Sequence, residues 1–215
     1  MCGRFVAKNE LETLKEVFHI TESTNFQLPE NYNVSPTQKT YAIQANDSNK
    51  PMLSVFNWGF TAAWDEKRKL ANARSESILE KKSFRDSFLH RRCLVPMNGY
   101  YEWFRIEEKP KQAYFIYSRK MQLLPVAGIF INDEMTILTR AANSKLEKIH
   151  DRMPVLVPPA NWNHWLDHSL TDPEQIMDLT PIAPDDLLNA YPVADRVNNS
   201  RSQGRELTNP TGEEF

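Results

Sequence analysis

The stretch Arg92-Cys93-Leu94-Val95-Pro96-Met97-Asn98-Gly99-Tyr100-Tyr101-Glu102-Trp103 decides the fold class. It opens a succession of apolar or alternating runs: Arg92 to Met97, Gly99 to Arg105, Ala113 to Ser118, Leu123 to Ile131 and Met135 to Ala141. Turn signals separate these runs, which predicts the strands of a meander or barrel. The polar Glu107-Glu108-Lys109-Pro110-Lys111 is expected to form a hairpin tip between two of them. Working outward, Tyr41 to Gln44 and Met52 to Phe60 read as further strands, and Tyr32-Asn33-Val34-Ser35-Pro36-Thr37 as a turn-rich loop. Asn9 followed by Leu11, Leu14, Val17 and Phe18 predicts an N-capped amphipathic helix. A second helix is expected from Ser75 to Leu89, a short one from Asn143 to near His150, and a strand from Met153 to Val157. A helix around Trp162 and Trp165 and acidic helical segments around Gln175 and Leu187 complete the pattern. Strands and helices mix without regular βαβ alternation, so the expected class is α+β. The expectation is one domain over residues 1–200, with a central, mostly antiparallel sheet or barrel-like core and peripheral helices. Residues 201–215 are expected to be a flexible tail.

A chain of 215 residues is long enough for one well-buried domain. It has no apolar run that would span a bilayer and no basic-then-apolar leader, so a soluble, unexported protein with no membrane partner is expected. The two cysteines, Cys2 and Cys93, are too few for a secreted disulfide framework and fit a reducing compartment. The net charge of −2 argues against a nucleic-acid binder until it is resolved along the chain. Lysines and arginines against acids number 5 to 8 over residues 1–66, 9 to 3 over 67–92, 8 to 6 over 93–150 and 4 to 11 over 151–215. The basic block over 67–92 fits either a phosphate-binding strip or a solvated helix face.

The N-terminal Met1-Cys2-Gly3-Arg4-Phe5 carries the most chemistry. Initiator methionine is removed before small side chains, so the mature chain is expected to start at Cys2, with a free α-amine beside its thiol. The amine titrates near ~7.7–8.0 and the thiol near ~8.5 when unperturbed. Such a pair can form an imine with an aldehyde and close a thiazolidine ring. It can equally attack a carboxamide or ester with the amine as general base. A buried Cys2 at the start of a strand is the structural alternative.

Four motifs combine polar groups with turns or aromatics: Tyr32 to Pro36, Asn72 to Glu76, Gly99 to Trp103 and Ile149 to Pro154. Glu102 lies in an aromatic strand; facing inward it would be a carboxyl titrating near neutrality, and facing outward an ordinary wet carboxylate. His150, beside Arg152 at a helix end, could protonate or orient a sugar oxygen, or serve as a cap. Asn72 could orient a reacting group or simply form a turn. Arg4, Arg74 and Arg152 are candidate phosphate ligands because a guanidinium fork matches phosphate oxygens. Trp58, Phe60 and Trp64 precede the basic block and suit either base stacking or the core. His164 and His168 have metal-ligand spacing without a third ligand nearby, and no P-loop or dinucleotide fingerprint is present, so no metal or cofactor is expected.

Taken in order, the motifs Met1 to Phe5, Tyr32 to Pro36, Trp58-Gly59-Phe60, Asn72-Ala73-Arg74-Ser75-Glu76, Arg92 to Pro96 with Gly99 to Trp103, Thr139 to Ala142 and His150 to Pro154 resemble the SRAP family, named for SOS-response-associated peptidases. The resemblance implies recognition of abasic sites in single-stranded DNA and a covalent thiazolidine between Cys2 and the ring-opened sugar. It casts Cys2, Asn72, Glu102 and His150 as catalytic: the nucleophile, the amide that positions the reactants, the acid-base and the group near the sugar oxygen. Arg4, Arg74 and Arg152 would hold phosphates, while Asn33, Pro36 and Trp64 would shape the DNA cleft. AP-lyase chemistry through the imine, N-terminal self-processing, a monomeric state and a cytoplasmic, nucleoid-associated location if bacterial complete the expectation. Ala63-Trp64 departs from the paired aromatics of some relatives. An N-terminal-nucleophile amidohydrolase or peptidase acting on a non-DNA substrate is the alternative, and a non-catalytic single-strand binder is a third class.

Overall fold

The computed structural model describes the chain apart from residues 1, 9, 21, 24–26 and 105–110. In chain order the first strands are β1 (Arg4–Ala7), β2 (Glu22–Ser23), β3 (Asn31–Val34), β4 (Lys39–Ala45), β5 (Pro51–Trp58), β6 (Phe60–Ala62), β7 (Asp65–Leu70) and β8 (Asn72–Arg74). The remainder are β9 (Arg92–Met97), β10 (Gly99–Phe104), β11 (Gln112–Tyr117), β12 (Leu124–Ile131), β13 (Glu134–Ala141), β14 (Arg152–Pro154) and β15 (Asn189–Pro192). The helices are α1 (Leu11–Phe18), α2 (Lys82–His90), α3 (Trp162–Leu166) and α4 (Pro173–Asp178).

Two sheets organise these elements. One runs β15-β11-β10-β1-β3, with every pairing antiparallel. The other runs β14-β13-β12-β9-β4-β5-β2, and β13 also pairs β5 in parallel through Glu134↔Asn57 and Met135↔Trp58. That extra pairing joins β5, β4, β9, β12 and β13 into a ring, the barrel-like core expected from the strand runs. At the join, Gly59 sits at φ 121, a conformation that disfavours a side chain, and its N–H donates to Met135 O at 2.7 Å.

Why β9 occupies the centre is legible in its residues, all six of them buried. Cys93, Val95 and Met97 face the core between the two sheets, whereas Leu94 faces a second core covered by α1, α2 and α3. This two-sided burial explains a continuous apolar run where a half-exposed strand would alternate. Arg92 is buried too, and it survives there because its guanidinium donates to five backbone carbonyls. These are Phe88, Leu89, Trp165 and Leu170 at 2.6–3.0 Å, together with Asp167. Its charge therefore sits at the carbonyl ends of α2 and α3, where a cation is favoured.

Several local expectations change. The helix expected over Ser75 to Leu89 is a 3-10 turn at Ser75–Ser77 followed by α2, because Lys81 is extended at ψ 107. The basic block is consequently divided among the β6–β7 hairpin, β8 and α2, and Arg92 is withdrawn from it altogether. Near Asn143 only a 3-10 turn forms, at Leu146–Lys148, with Asn143 Oδ1 accepting from Leu146 N–H at 3.0 Å. No helix forms around Leu187; its carbonyl instead accepts from Ser118 Oγ at 2.8 Å. Asn9 and most of the expected 107–111 hairpin tip lie outside the described residues.

The expected loose tail is packed. A 3-10 turn over Arg205–Thr208 buries Leu207, Thr208 O accepts from Tyr191 Oη at 2.7 Å, and Phe215 N–H donates to Ala190 O at 2.6 Å. Among the described residues no helix is long and apolar enough to cross a membrane.

Gly99 starts β10 where no side chain fits. An added Cβ would lie 2.3 Å from Phe115 Cζ and 2.7 Å from Ile116 O. Gly99→Ala is expected to cost about 2 kcal/mol, since backbone cannot yield as a flexible side chain can. A urea midpoint matching the parent protein would show that β10 tolerates the crowding.

Candidate active site

Cys2 precedes β1, and the pairing of Arg4 with Tyr101 lays the N-terminal segment along β10. The thiol is completely buried, within the core that also holds Phe5, Trp58 and Tyr100. Burial raises its pKa well above the ordinary value, and the nearby Glu102 charge raises it further. Its polar contact to Arg4 O is long, 3.9 Å from Sγ. Position alone suggested a thiol ready to ionise near neutral pH; the structure shows a buried one whose ionisation is held back by desolvation and by a neighbouring carboxyl.

Glu102 is that neighbour. It is 2 % exposed on the inward face of β10, and burial pushes its carboxyl up to about 7. Of the two orientations open in the sequence, the structure selects the interior one. His150 enters from the loop before β14, with Nε2 3.9 Å from Glu102 Oε2. Its Nδ1 lies 3.0 Å from the Arg152 backbone N–H and 2.9 Å from Asp151 Oδ1. The N–H can only donate, so in the neutral ring Nδ1 is the acceptor and Nε2 carries the hydrogen, directed toward Glu102. Asp151 is largely exposed, and its contact with Nδ1 is an ion pair only when the ring is protonated.

Asn72 begins β8 and registers with Ile137 of the same core. Its Oδ1 is buried without a hydrogen-bond partner among the described residues, an acceptor not used by the fold. Cys2, Glu102 and His150 thus form one cluster, and Asn72 borders its core with an open acceptor.

The arginines divide. Arg74 is exposed on β8, opposite Thr139 of β13, while Arg152 lies on β14 opposite Ala141, so both flank the same end of β13. Arg152 makes a bidentate pair with Glu76, Nη1 to Oε1 at 2.7 Å and Nη2 to Oε2 at 2.9 Å, and also donates to Thr139 O. Arg4 presents no open fork: it donates to Asn33 Oδ1, Val197 O and Asn198 O at 2.7–3.2 Å and lies over the Trp103 ring. Asn33 is fully buried and its Nδ2 ties Val197, Asn199 and Ser202 carbonyls at 3.0–3.3 Å. Arg4 and Asn33 therefore fasten the C-terminal segment to the first sheet. Pro36 is half-buried in the β3–β4 turn. Trp58 and Phe60 belong to the core, whereas Trp64 is 66 % exposed at the tip of the β6–β7 hairpin, next to exposed Lys67 and Arg68.

Sequence reading missed Glu76 as a partner of Arg152. Burial alone would raise the Glu76 carboxyl, but hydrogen bonds from Arg152 and the Ala141 N–H hold it at about 2. A depressed carboxylate adds stability that is present above the unfolded value and lost as pH falls toward about 2. Because Glu76 is about half exposed, Glu76→Gln is expected to cost only about 1 kcal/mol at pH 7. Urea titrations at pH 7 and pH 3 should show that difference shrinking at the acid end; a constant difference would contradict the pairing. Among the described residues no three His, Cys, Asp or Glu side chains are gathered to hold a metal ion, and His164 and His168 are both exposed.

Comparison with known proteins places this geometry. Residues 1–200 match the family described as SOS response associated peptidase (SRAP). The chain is 34 % identical to the abasic site processing protein YoqW of Bacillus subtilis over 225 residues, covering 96 % of this chain and 98 % of the relative. It is 29 % identical to the abasic site processing protein YedK of Escherichia coli, covering 98 % of this chain and 100 % of the relative. A crystal structure of a protein from Bacteroides thetaiotaomicron superposes with a TM-score of 0.83 over 98 % of this chain and 100 % of that one, at 22 % identity. The ordered motifs, the ring-like sheet with Cys2 against Glu102, and the match over nearly the whole chain agree: this protein belongs to the SRAP family.

Proposed function

We propose that this protein processes abasic sites in single-stranded DNA by covalent capture through Cys2 once Met1 is absent. The observation that carries the reading is the cluster of buried Cys2 and Glu102 with half-buried His150 beside them, the Glu102 carboxyl poised at about 7. Its relatives' shared description as abasic site processing proteins supports the substrate.

The chemistry follows from the groups present. The Cys2 α-amine attacks the aldehyde carbon of the ring-opened deoxyribose, and loss of water gives an imine. The thiol then adds to that carbon: a C–S bond forms, the thiol proton passes to the Glu102 carboxylate, and the C=N electron pair moves to nitrogen, which is protonated. Glu102 at about 7 is matched to taking and returning one proton near neutral pH. His150, with its Nε2 hydrogen on the same side, donates to the sugar oxygen that leaves or forms. Arg74 and the exposed Lys67 and Arg68 attract phosphates, and Trp64 offers a stacking surface for an unpaired base. The imine also opens a route to strand cleavage, and the same nucleophile accounts for N-terminal self-processing.

The test mixes Met-free protein with single-stranded DNA, either intact or carrying one abasic site. A denaturant-resistant adduct on the abasic strand alone supports the reading. Equal, salt-sensitive binding to both strands without an adduct would identify a plain single-strand binder, and glutamine or peptide hydrolysis without an adduct would identify an amidohydrolase.

A further inference from the structure

Tyr100 and Glu102 lie two residues apart on β10 and so project from one face of the strand. Tyr100 shares its core with Cys2, and the register Phe5↔Tyr100 brings the N-terminal segment alongside. The ring is 1 % exposed, and its hydroxyl has no hydrogen-bond partner among the described residues. A buried phenol left unsatisfied is destabilising, and phenylalanine would fill the same space without that cost. Tyr101 makes the contrast on the opposite face: its hydroxyl donates to Tyr32 O at 2.9 Å.

The groups facing Tyr100 decide what an unused donor does here. Those whose charges act on it are the Cys2 thiol from the N-terminal segment and Glu102 from the same strand, and Glu102 in turn faces His150 from the loop before β14. Burial, then the nearby Glu102 and Cys2 charges, push the phenol well above its ordinary range, so it stays a donor at every working pH. During thiol addition one negative charge must exist in this buried space, first on Glu102 or on sulfur, and it needs a donor there.

We propose that Tyr100 is a further positioning residue of the site, whose free O–H supplies a hydrogen bond, directly or through one bridging water, to the negative charge that Cys2 and Glu102 pass between them. The phenol keeps its proton throughout: the thiol proton moves to Glu102, and Tyr100 only holds the anion. The proposal rests on the covalent-capture reading. It also accounts for a hydroxyl that the fold leaves unsatisfied.

The experiment compares Met-free parent protein, Tyr100→Phe and Tyr101→Phe by three readouts. These are the melting temperature, Cys2 alkylation by iodoacetamide across pH 6–10 without DNA, and the adduct rate on abasic single-stranded DNA. Tyr100→Phe should melt at the parent temperature or a few degrees higher, with the Cys2 titration moved up by about one unit and the adduct formed about tenfold more slowly at pH 7. Tyr101→Phe should melt lower with titration and rate preserved. An unchanged titration and rate in Tyr100→Phe would overturn the proposal. If the parent forms no adduct, the covalent-capture reading fails, and the alkylation profile still decides whether Tyr100 acts on the Cys2–Glu102 pair.

Discussion

Glu102→Gln is expected to slow adduct formation at pH 7.5 by about a hundredfold, because the amide keeps the shape of the carboxyl but cannot accept the thiol proton. In the parent protein the rate should rise with pH through about 7, as Glu102 ionises, and the variant should lose that step. Stability should move the opposite way. Glu102 holds its proton in the folded state up to about 7 but releases it near 4.5 when unfolded, so between those values the folded protein binds more protons. By linkage, stability then falls as pH rises through this window, by about 3 kcal/mol in total. Glu102→Gln removes that loss, so it should be more stable than the parent at pH 8 and nearly equal to it at pH 4. A variant that is slower and also less stable at pH 8 would mean that Glu102 is a structural carboxylate rather than a desolvated acid-base.

Cys2→Ser separates the two nucleophiles. The α-amine remains, so an imine still forms, but a hydroxyl adds to an imine weakly and reversibly. The adduct that survives denaturation is therefore expected to fall to background, about a hundredfold or more below the parent, and to reappear when borohydride reduces the imine. Cys2→Ala should behave in the same way. A durable adduct in either variant without borohydride would assign the linkage to the amine alone.

How far the sequence carried this account depends on the residue. The strand block from Arg92 to Ala141 was legible because its runs are apolar, evenly spaced and punctuated, and β9, β10, β11, β12 and β13 fall within a residue or two of the expected limits. The ring closure was not, since nothing in Asn57-Trp58 or Glu134-Met135 signals a parallel pairing between distant strands. The expected Ser75 to Leu89 helix is interrupted at the extended Lys81, and Glu76 before it pairs with Arg152, a partner 76 residues away that no local pattern reveals. The tail looked loose for the same reason: Thr208 and Phe215 are anchored by Tyr191 and Ala190, contacts made only in three dimensions.

For the candidate site, Cys2, Glu102 and His150 could be named from residue type and motif order, but only the folded structure shows that Glu102 is buried and that His150 faces it. Arg4 and Arg152 illustrate the limit. A guanidinium suits phosphate, backbone carbonyls and carboxylates alike, and here it is the neighbours that decide: Arg4 binds Val197 and Asn198 carbonyls, Arg152 binds Glu76, and Arg74 remains exposed. Tyr100 left no trace beyond sitting two residues before Glu102 on a strand.

The central claim is that Cys2 uses both its amine and its thiol on one aldehyde carbon, and intact mass with thiol mapping tests it most directly. Met-free protein is incubated with an abasic single strand, the DNA is trimmed by nuclease, and the protein is weighed and then treated with iodoacetamide under denaturing conditions. A thiazolidine predicts a gain equal to the sugar fragment less one water, localised to Cys2, with Cys93 alkylated and Cys2 protected. The same mass gain with Cys2 still open to alkylation, or no gain at all, would contradict the account.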